Sequence, residues 1–231
     1  SDICTEKIKA FTALRVPYEK DVPGLAVRGQ YGAGEVGGET LPAYRDEEGV
    51  AGDSQTDTFA MMTFHVDTWR WGGTPFYLRS GKAMPAKKTE IVLYFKPTPH
   101  CLFRETACEL KPNQIVVSVQ PDEGIRLRFE GKVPGSGMNI GDVVMDFDYV
   151  DQWRAQPPDG YATLLLDSIR GDQTLFKHRD EIEASWYAVQ PVLDYWKNHP
   201  DPDLPNYAAG TWGPDAAEQV MRDAGRYWRN D

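Results

Sequence analysis

The sequence predicts an α+β fold: a large, mostly antiparallel β-sheet with helices packed on one face. Three observations carry this. Between residues 56 and 150, apolar residues alternate or cluster in short β-branched runs bounded by turn residues. No helical period separates those runs, so successive strands pair antiparallel through short links. From residue 160 onward the apolar spacing becomes that of helices.

Taken in order, DICTEKIKAFTAL (2–14) places Ile3, Ile8, Phe11 and Leu14 at helical spacing, with Ser1 or Asp2 as the cap. Residues 32–52 are rich in glycine and lack an apolar period, which predicts a mobile loop. TDTFAMMTFHVDT (56–68) is apolar on both faces, as in a strand buried on two sides. PFYLRS (75–80), TEIVLYFK (89–96), QIVVSVQ (114–120), IRLRFEGK (125–132) and DVVMDFDYV (142–150) follow as strands. GYATLLLDSIRG (160–171) reads as a helix stopped at Gly171. Residues 179–198 read as a longer helix with a kink at Pro191. HPDPDLPNY (199–207) predicts an extended linker, and residues 214–228 a closing helix with Pro214 at its first position. The whole chain, 1–231, is expected to form one domain.

Composition narrows the function classes. A formal net charge of −10 argues against nucleic acid as a partner, and any anionic substrate would need a local cluster of Lys or Arg. Three cysteines, Cys4, Cys101 and Cys108, form neither a disulfide framework nor a zinc spacing. No apolar run reaches the ~18 residues of a membrane span, and no signal peptide is visible. The expectation is a soluble cytoplasmic protein. The first residue falls inside what reads as an ongoing element, so a piece of a longer protein is expected.

GAGEVG (32–37) matches the dinucleotide pattern G-x-G-x-x-G, yet Gly38 and Pro42 oppose the helix that must follow. A coenzyme cradle is not expected there. The stretch PFYLRSGKAMPAKKTEIVLYF (75–95) is more suggestive. Lys82, Lys87 and Lys88 sit on a hairpin loop with Arg79 at its entrance, and lysine ammoniums can converge on a phosphate as point charges. The bland alternative is a solvated basic loop. Gln120 ends a strand, where its amide could bond sugar hydroxyls or simply close the strand. His65, His100, His178 and His199 stand at no recognisable catalytic spacing. Arg126 and Arg128 face Asp146 and Asp148 on the neighbouring candidate strand, which points to cross-strand ion pairing. No metal-ligand motif is present.

VRGQY (27–31), DSQTDTFA (53–60), RWGGTPFYLRSGKAMPAKKTEI (70–91), the strand ending VQP (119–121), LLLDSIRGDQTLFKHRDEIEASW (164–186) and AGTWGP (209–214) resemble glucose-6-phosphate dehydrogenases, in the family's order and over nearly the whole chain. The resemblance covers the C-terminal half of that enzyme. It implies an NADP-dependent oxidoreductase that converts glucose 6-phosphate to 6-phosphogluconolactone and feeds the pentose phosphate pathway. In the family a His–Asp pair takes the proton from the anomeric hydroxyl while hydride leaves for NADP+. The stretches that carry that pair and the Rossmann glycine turn have no counterpart here, so this chain alone is expected to be inactive.

Carried over by position, the resemblance assigns Lys82 and Lys87 to contacts with glucose 6-phosphate and Gln120 to the sugar. Arg79 and Lys88 match positions that in some members touch a second, structural NADP+, but Val92 and Ser118 stand where those members carry arginine. The rival reading is a stand-alone, catalytically inactive paralogue acting as an assembly or regulatory module. A homodimer through the sheet is expected. Its apolar side (Ile91, Leu93, Phe95, Ile125, Met145) would lie under the helices, and its mixed side (Val116, Arg126, Asp146) would meet a second copy.

Overall fold

A computed structural model describes residues 2–97, 111–137, 139–153 and 160–230. Helix α1 (Asp2–Thr12) and the single turn α2 (Val22–Leu25) lead into β1 (Ala26–Gly29), β2 (Tyr31–Gly32), β3 (Gly34–Val36) and β4 (Glu39–Leu41). The longer strands are β5 (Phe59–His65), β6 (Pro75–Gly81), β7 (Thr89–Tyr94), β8 (Gln114–Gln120), β9 (Gly124–Lys132) and β10 (Ile140–Asp148). Helices α3 (Tyr149–Trp153), α4 (Gly160–Arg170) and α5 (Arg179–Asn198) follow, then β11 (Tyr207–Ala208) and α6 (Asp215–Asp223). The α+β class holds. The chain forms two compact units, one of residues 1–85 and 160–231, the other of residues 86–159.

In the first unit, β1, β5 and β6 make an antiparallel sheet in the order β1-β5-β6. The two apolar faces of β5 reach different cores, as its sequence foretells. Phe59 and Met61 join Tyr31, Tyr207, Ala209, Ala217 and Met221, which brings in α6. Ala60 and Met62 pack against Val22, Ala26, Val192 and Trp196, which brings in α2 and α5. Full burial of a side chain such as Phe59 or Met61 contributes roughly 1.5–3 kcal/mol. α5 is capped by His178, whose ring nitrogen accepts the Asp180 N–H at 3.3 Å, and it runs unbroken through Pro191.

In the second unit, β7 to β10 form an antiparallel sheet in sequence order. Asp148 at the end of β10 accepts the N–H groups of Val150 and Asp151, and so turns the chain into α3.

Four expectations are corrected. The glycine-rich stretch is not a loop throughout: β3 and β4 form a hairpin whose turn, Gly37-Gly38, takes φ of 61° and 87°. The Pro-rich linker is pinned, because Leu204 and Tyr207 are buried and β11 pairs in parallel with β2. Pro214 caps α6 instead of opening it, and α6 ends at Asp223. The apolar side of the four-stranded sheet is uncovered: Ile91 is 57% and Met145 59% exposed, whereas Val116 on the mixed side is 1% exposed.

Candidate functional site

The basic hairpin divides between the two units. In the first, β6 ends at Gly81, opposite Phe59, and Lys82 follows with its side chain exposed. A Cβ on Gly81 would lie 2.8 Å from the Phe59 ring and the Met84 sulfur, so a larger residue there would force those side chains to shift. The Lys82 backbone is held on both sides. Its N–H donates to the Thr58 carbonyl at 2.8 Å, and its carbonyl accepts from the Tyr207 hydroxyl at 3.0 Å. Ala83 then takes φ of 50°, the one non-glycine residue with positive φ among those described. Its carbonyl accepts from the Gly210 N–H at 2.7 Å.

In the second unit, Lys87 is exposed, while Lys88 is half-buried with its ammonium 3.5 Å from the Glu90 carboxylate. Register brings Gln120 to the same end of the sheet: it pairs with Thr89, directly after the two lysines, and its side chain is exposed. Neither Lys82 nor Lys87 has an ion-pair partner among the described residues, in contrast to Lys88. Both remain available cations on an acidic protein.

The other sequence candidates have structural roles. No helix begins within GAGEVG. A Cβ on Gly34 would sit 2.1 Å from the Ala209 carbonyl, and Gly37 forms the hairpin turn. Gly34 thus serves a close backbone approach and Gly37 a tight turn. His65 ends β5 and its carbonyl accepts from the Arg15 N–H at 2.8 Å. His178 caps α5, and His199 stacks on Tyr195 with ring centres 4.2 Å apart. Arg126 bonds Asp146 through Nε and a terminal nitrogen at 2.9 and 2.6 Å, the expected cross-strand pair, whereas Asp148 serves α3 instead. Cys4 lies in α1; Cys101, Cys108 and His100 lie outside the described residues. No group of three His, Cys, Asp or Glu able to hold a metal ion occurs among the described residues.

Arg79 is engaged within its own unit. Its guanidinium lies between Trp212 and Trp228, 4.9 and 4.5 Å from the ring centres. It donates to Asn230 Oδ1 at 2.6 Å and lies 3.8 Å from Glu218, with its side chain only 10% exposed. Lys88 is committed to Glu90, and Val92 and Ser118 bring no charge. Both candidate positions for a second coenzyme thus make contacts within the chain. The sequence indicated Arg79 but not its partners, nor Tyr207 and Thr58 beneath Lys82. These lie up to 151 residues apart along the chain, and only AGTWGP gave a hint of the region.

The family model described as "Glucose-6-phosphate dehydrogenase, C-terminal domain" matches residues 1–229. A glucose-6-phosphate 1-dehydrogenase 2 of Mycobacterium bovis is 46% identical over 225 residues, covering 97% of this chain and 43% of that protein. The glucose-6-phosphate 1-dehydrogenase of Aggregatibacter actinomycetemcomitans is 44% identical over 224 residues, covering 97% of this chain and 44% of that protein. Among solved structures, a glucose-6-phosphate dehydrogenase in complex with its substrate glucose 6-phosphate superposes with a TM-score of 0.84 at 29% identity, over 99% of this chain and 45% of that one. A glucose-6-phosphate 1-dehydrogenase from Mycobacterium avium gives 0.77 at 33% identity, over 99% and 44%. The chain spans less than half the length of these relatives.

Proposed function

Because this chain belongs to the glucose-6-phosphate dehydrogenase C-terminal domain family, we propose that it supplies the substrate contacts and assembly surface of an NADP-dependent glucose-6-phosphate dehydrogenase. The reaction oxidises glucose 6-phosphate to 6-phosphogluconolactone, in a cytoplasmic pentose phosphate pathway. The observation that carries this reading is the family match across residues 1–229, with two uncommitted lysines at its S-G-K loop.

Lys82 and Lys87 hold the sugar phosphate by charge, and Gln120 orients it through amide bonds to its hydroxyls. NADP+, when bound, accepts the hydride from the sugar. No strand–glycine turn–helix cradle occurs among the described residues, so coenzyme and base are assigned to another part of the enzyme. Residues 1–231 act there as one functional domain, in spite of their two compact units.

The test is kinetic, in a full-length dehydrogenase carrying this chain. Lys82→Ala or Lys87→Ala should raise the KM for glucose 6-phosphate roughly tenfold to hundredfold. This follows from loss of one charge-assisted contact worth about 1.5–3 kcal/mol. The KM for NADP+ should hardly move. Wild-type substrate affinity in either variant would overturn the role of that lysine. The isolated chain, assayed alongside, should reduce no NADP+, since base, donor and acceptor are not all assembled on it.

A further inference from the structure

We propose that Tyr207 is a positioning residue for the sugar-phosphate lysine Lys82, acting through a buried relay of hydroxyl groups; this rests on the reading of Lys82 above. The Tyr207 hydroxyl lies 2.9 Å from Thr58 Oγ1, 3.0 Å from the Lys82 carbonyl and 3.3 Å from the Thr58 carbonyl. A phenol has one proton to donate, and its shorter carbonyl contact is with Lys82. Thr58 Oγ1 in turn accepts the Tyr31 N–H at 3.0 Å. The donors then run one way: Tyr31 N–H to Thr58, Thr58 O–H to Tyr207, Tyr207 O–H to the Lys82 carbonyl. Tyr207 is 6% and Thr58 8% exposed, so water does not readily substitute for either.

The relay governs the peptide that joins Lys82 to Ala83. The Thr58 carbonyl pins the Lys82 N–H on one side, and the Gly210 N–H pins the Ala83 carbonyl on the other. Between them the Tyr207 hydroxyl pins the Lys82 carbonyl. This peptide is where the backbone is strained, since Ala83 has φ of 50°. A flip of the Lys82–Ala83 peptide would relieve that strain and turn the carbonyl away from Tyr207. The hydroxyl therefore opposes the relaxation to which the local sequence is inclined, and so fixes the direction in which Lys82 leaves the chain. Burial pushes the Tyr207 phenol above its ordinary pKa, which keeps the donor proton in place.

The experiment is a double-mutant cycle in the full-length dehydrogenase carrying this chain, with KM for each substrate, kcat and Tm as readouts. Tyr207→Phe should raise the KM for glucose 6-phosphate about threefold to tenfold, the loss of one hydrogen bond, and leave the KM for NADP+ unchanged. In a Lys82→Ala background it should add almost nothing. Thr58→Val, which strips the hydroxyl that orients the phenol, should behave like Tyr207→Phe and stands in for it if that variant fails to fold. Thr58→Ser should keep the wild-type KM. If Lys82→Ala raises the KM but Tyr207→Phe and Thr58→Val do not, or if their effects add fully to it, the positioning role is overturned while the reading of Lys82 stands. If both KM values shift together, the role is likewise overturned. If Lys82→Ala itself has no effect, the reading of Lys82 fails and takes this inference with it.

Discussion

Glu181 shows how a charged side chain comes to be buried in a surface-rich chain. It occupies the third position of α5, 2% exposed, with Lys177 Nζ at 2.8 Å and Lys7 Nζ at 3.8 Å. The hydrogen bond from Lys177 holds its carboxyl below the usual range, helped by the attraction of Lys7 and a bond from the His178 backbone. Asp67, bonded by Arg15, and Asp172, bonded by the hydroxyl and N–H of Thr174, are lowered as well. A carboxyl with a lowered folded pKa binds its proton more readily in the unfolded chain. Its contribution is thus complete above the unfolded value and is lost as pH falls through the folded one. Thermal melts should show Tm dropping as pH falls below about 4.5. Glu181→Gln should lower Tm at neutral pH and flatten the acid limb; an unchanged limb would place the acid sensitivity elsewhere.

At the scale of elements, the hairpin of β3 and β4 is held by backbone meeting backbone. A Cβ on Gly210 would lie 2.0 Å from the Glu35 carbonyl, and Gly210 has φ of 84°. Gly34 faces Ala209 in the same way. Gly210→Ala therefore meets both a clash and a disfavoured φ, and should cost about 2 kcal/mol or more in chemical denaturation. Gly52→Ala has nothing within 4 Å and no positive φ, so it should change stability by less than about 0.5 kcal/mol. Similar values for the two variants would refute the close-approach account. The strands and helices themselves were legible: β8 and α5 match their predicted residues end to end, because alternation and helical spacing are local signals. β1 and β11 were not, since each is short and is a strand only by virtue of a partner distant in sequence.

For the whole molecule, the outcome that most alters expectation concerns assembly. The proposed homodimer cannot rest on Arg126 meeting an aspartate of a second copy, because Asp146 of the same sheet already takes it. Val116→Arg would also be a poor probe, since Val116 is buried within the chain and the change would strike folding first. The apolar side of the sheet offers the better surface: Ile91, Leu93, Ile125, Val143 and Met145 are all more than a third exposed. Self-association through that side should give a dimer at micromolar concentration by light scattering. Met145→Glu should weaken it without lowering Tm. A wild-type monomer across that range, or a dimer indifferent to this change, would count against the surface.

The sequence by itself determined the class, the order of nearly all elements and the family, and it nominated the lysines and glutamine proposed for substrate. Those rest on signals carried within a dozen residues or on motifs preserved in order. Only the tertiary structure decided which candidates are committed. Arg79 carries the same charge as Lys82 and lies three residues away, yet one is closed between Trp212 and Trp228 while the other is exposed. Tyr207 was read as the end of a linker and became the donor beneath Lys82. Both outcomes depend on contacts spanning more than a hundred residues, and no local pattern encodes which distant backbone carbonyl a buried hydroxyl will find.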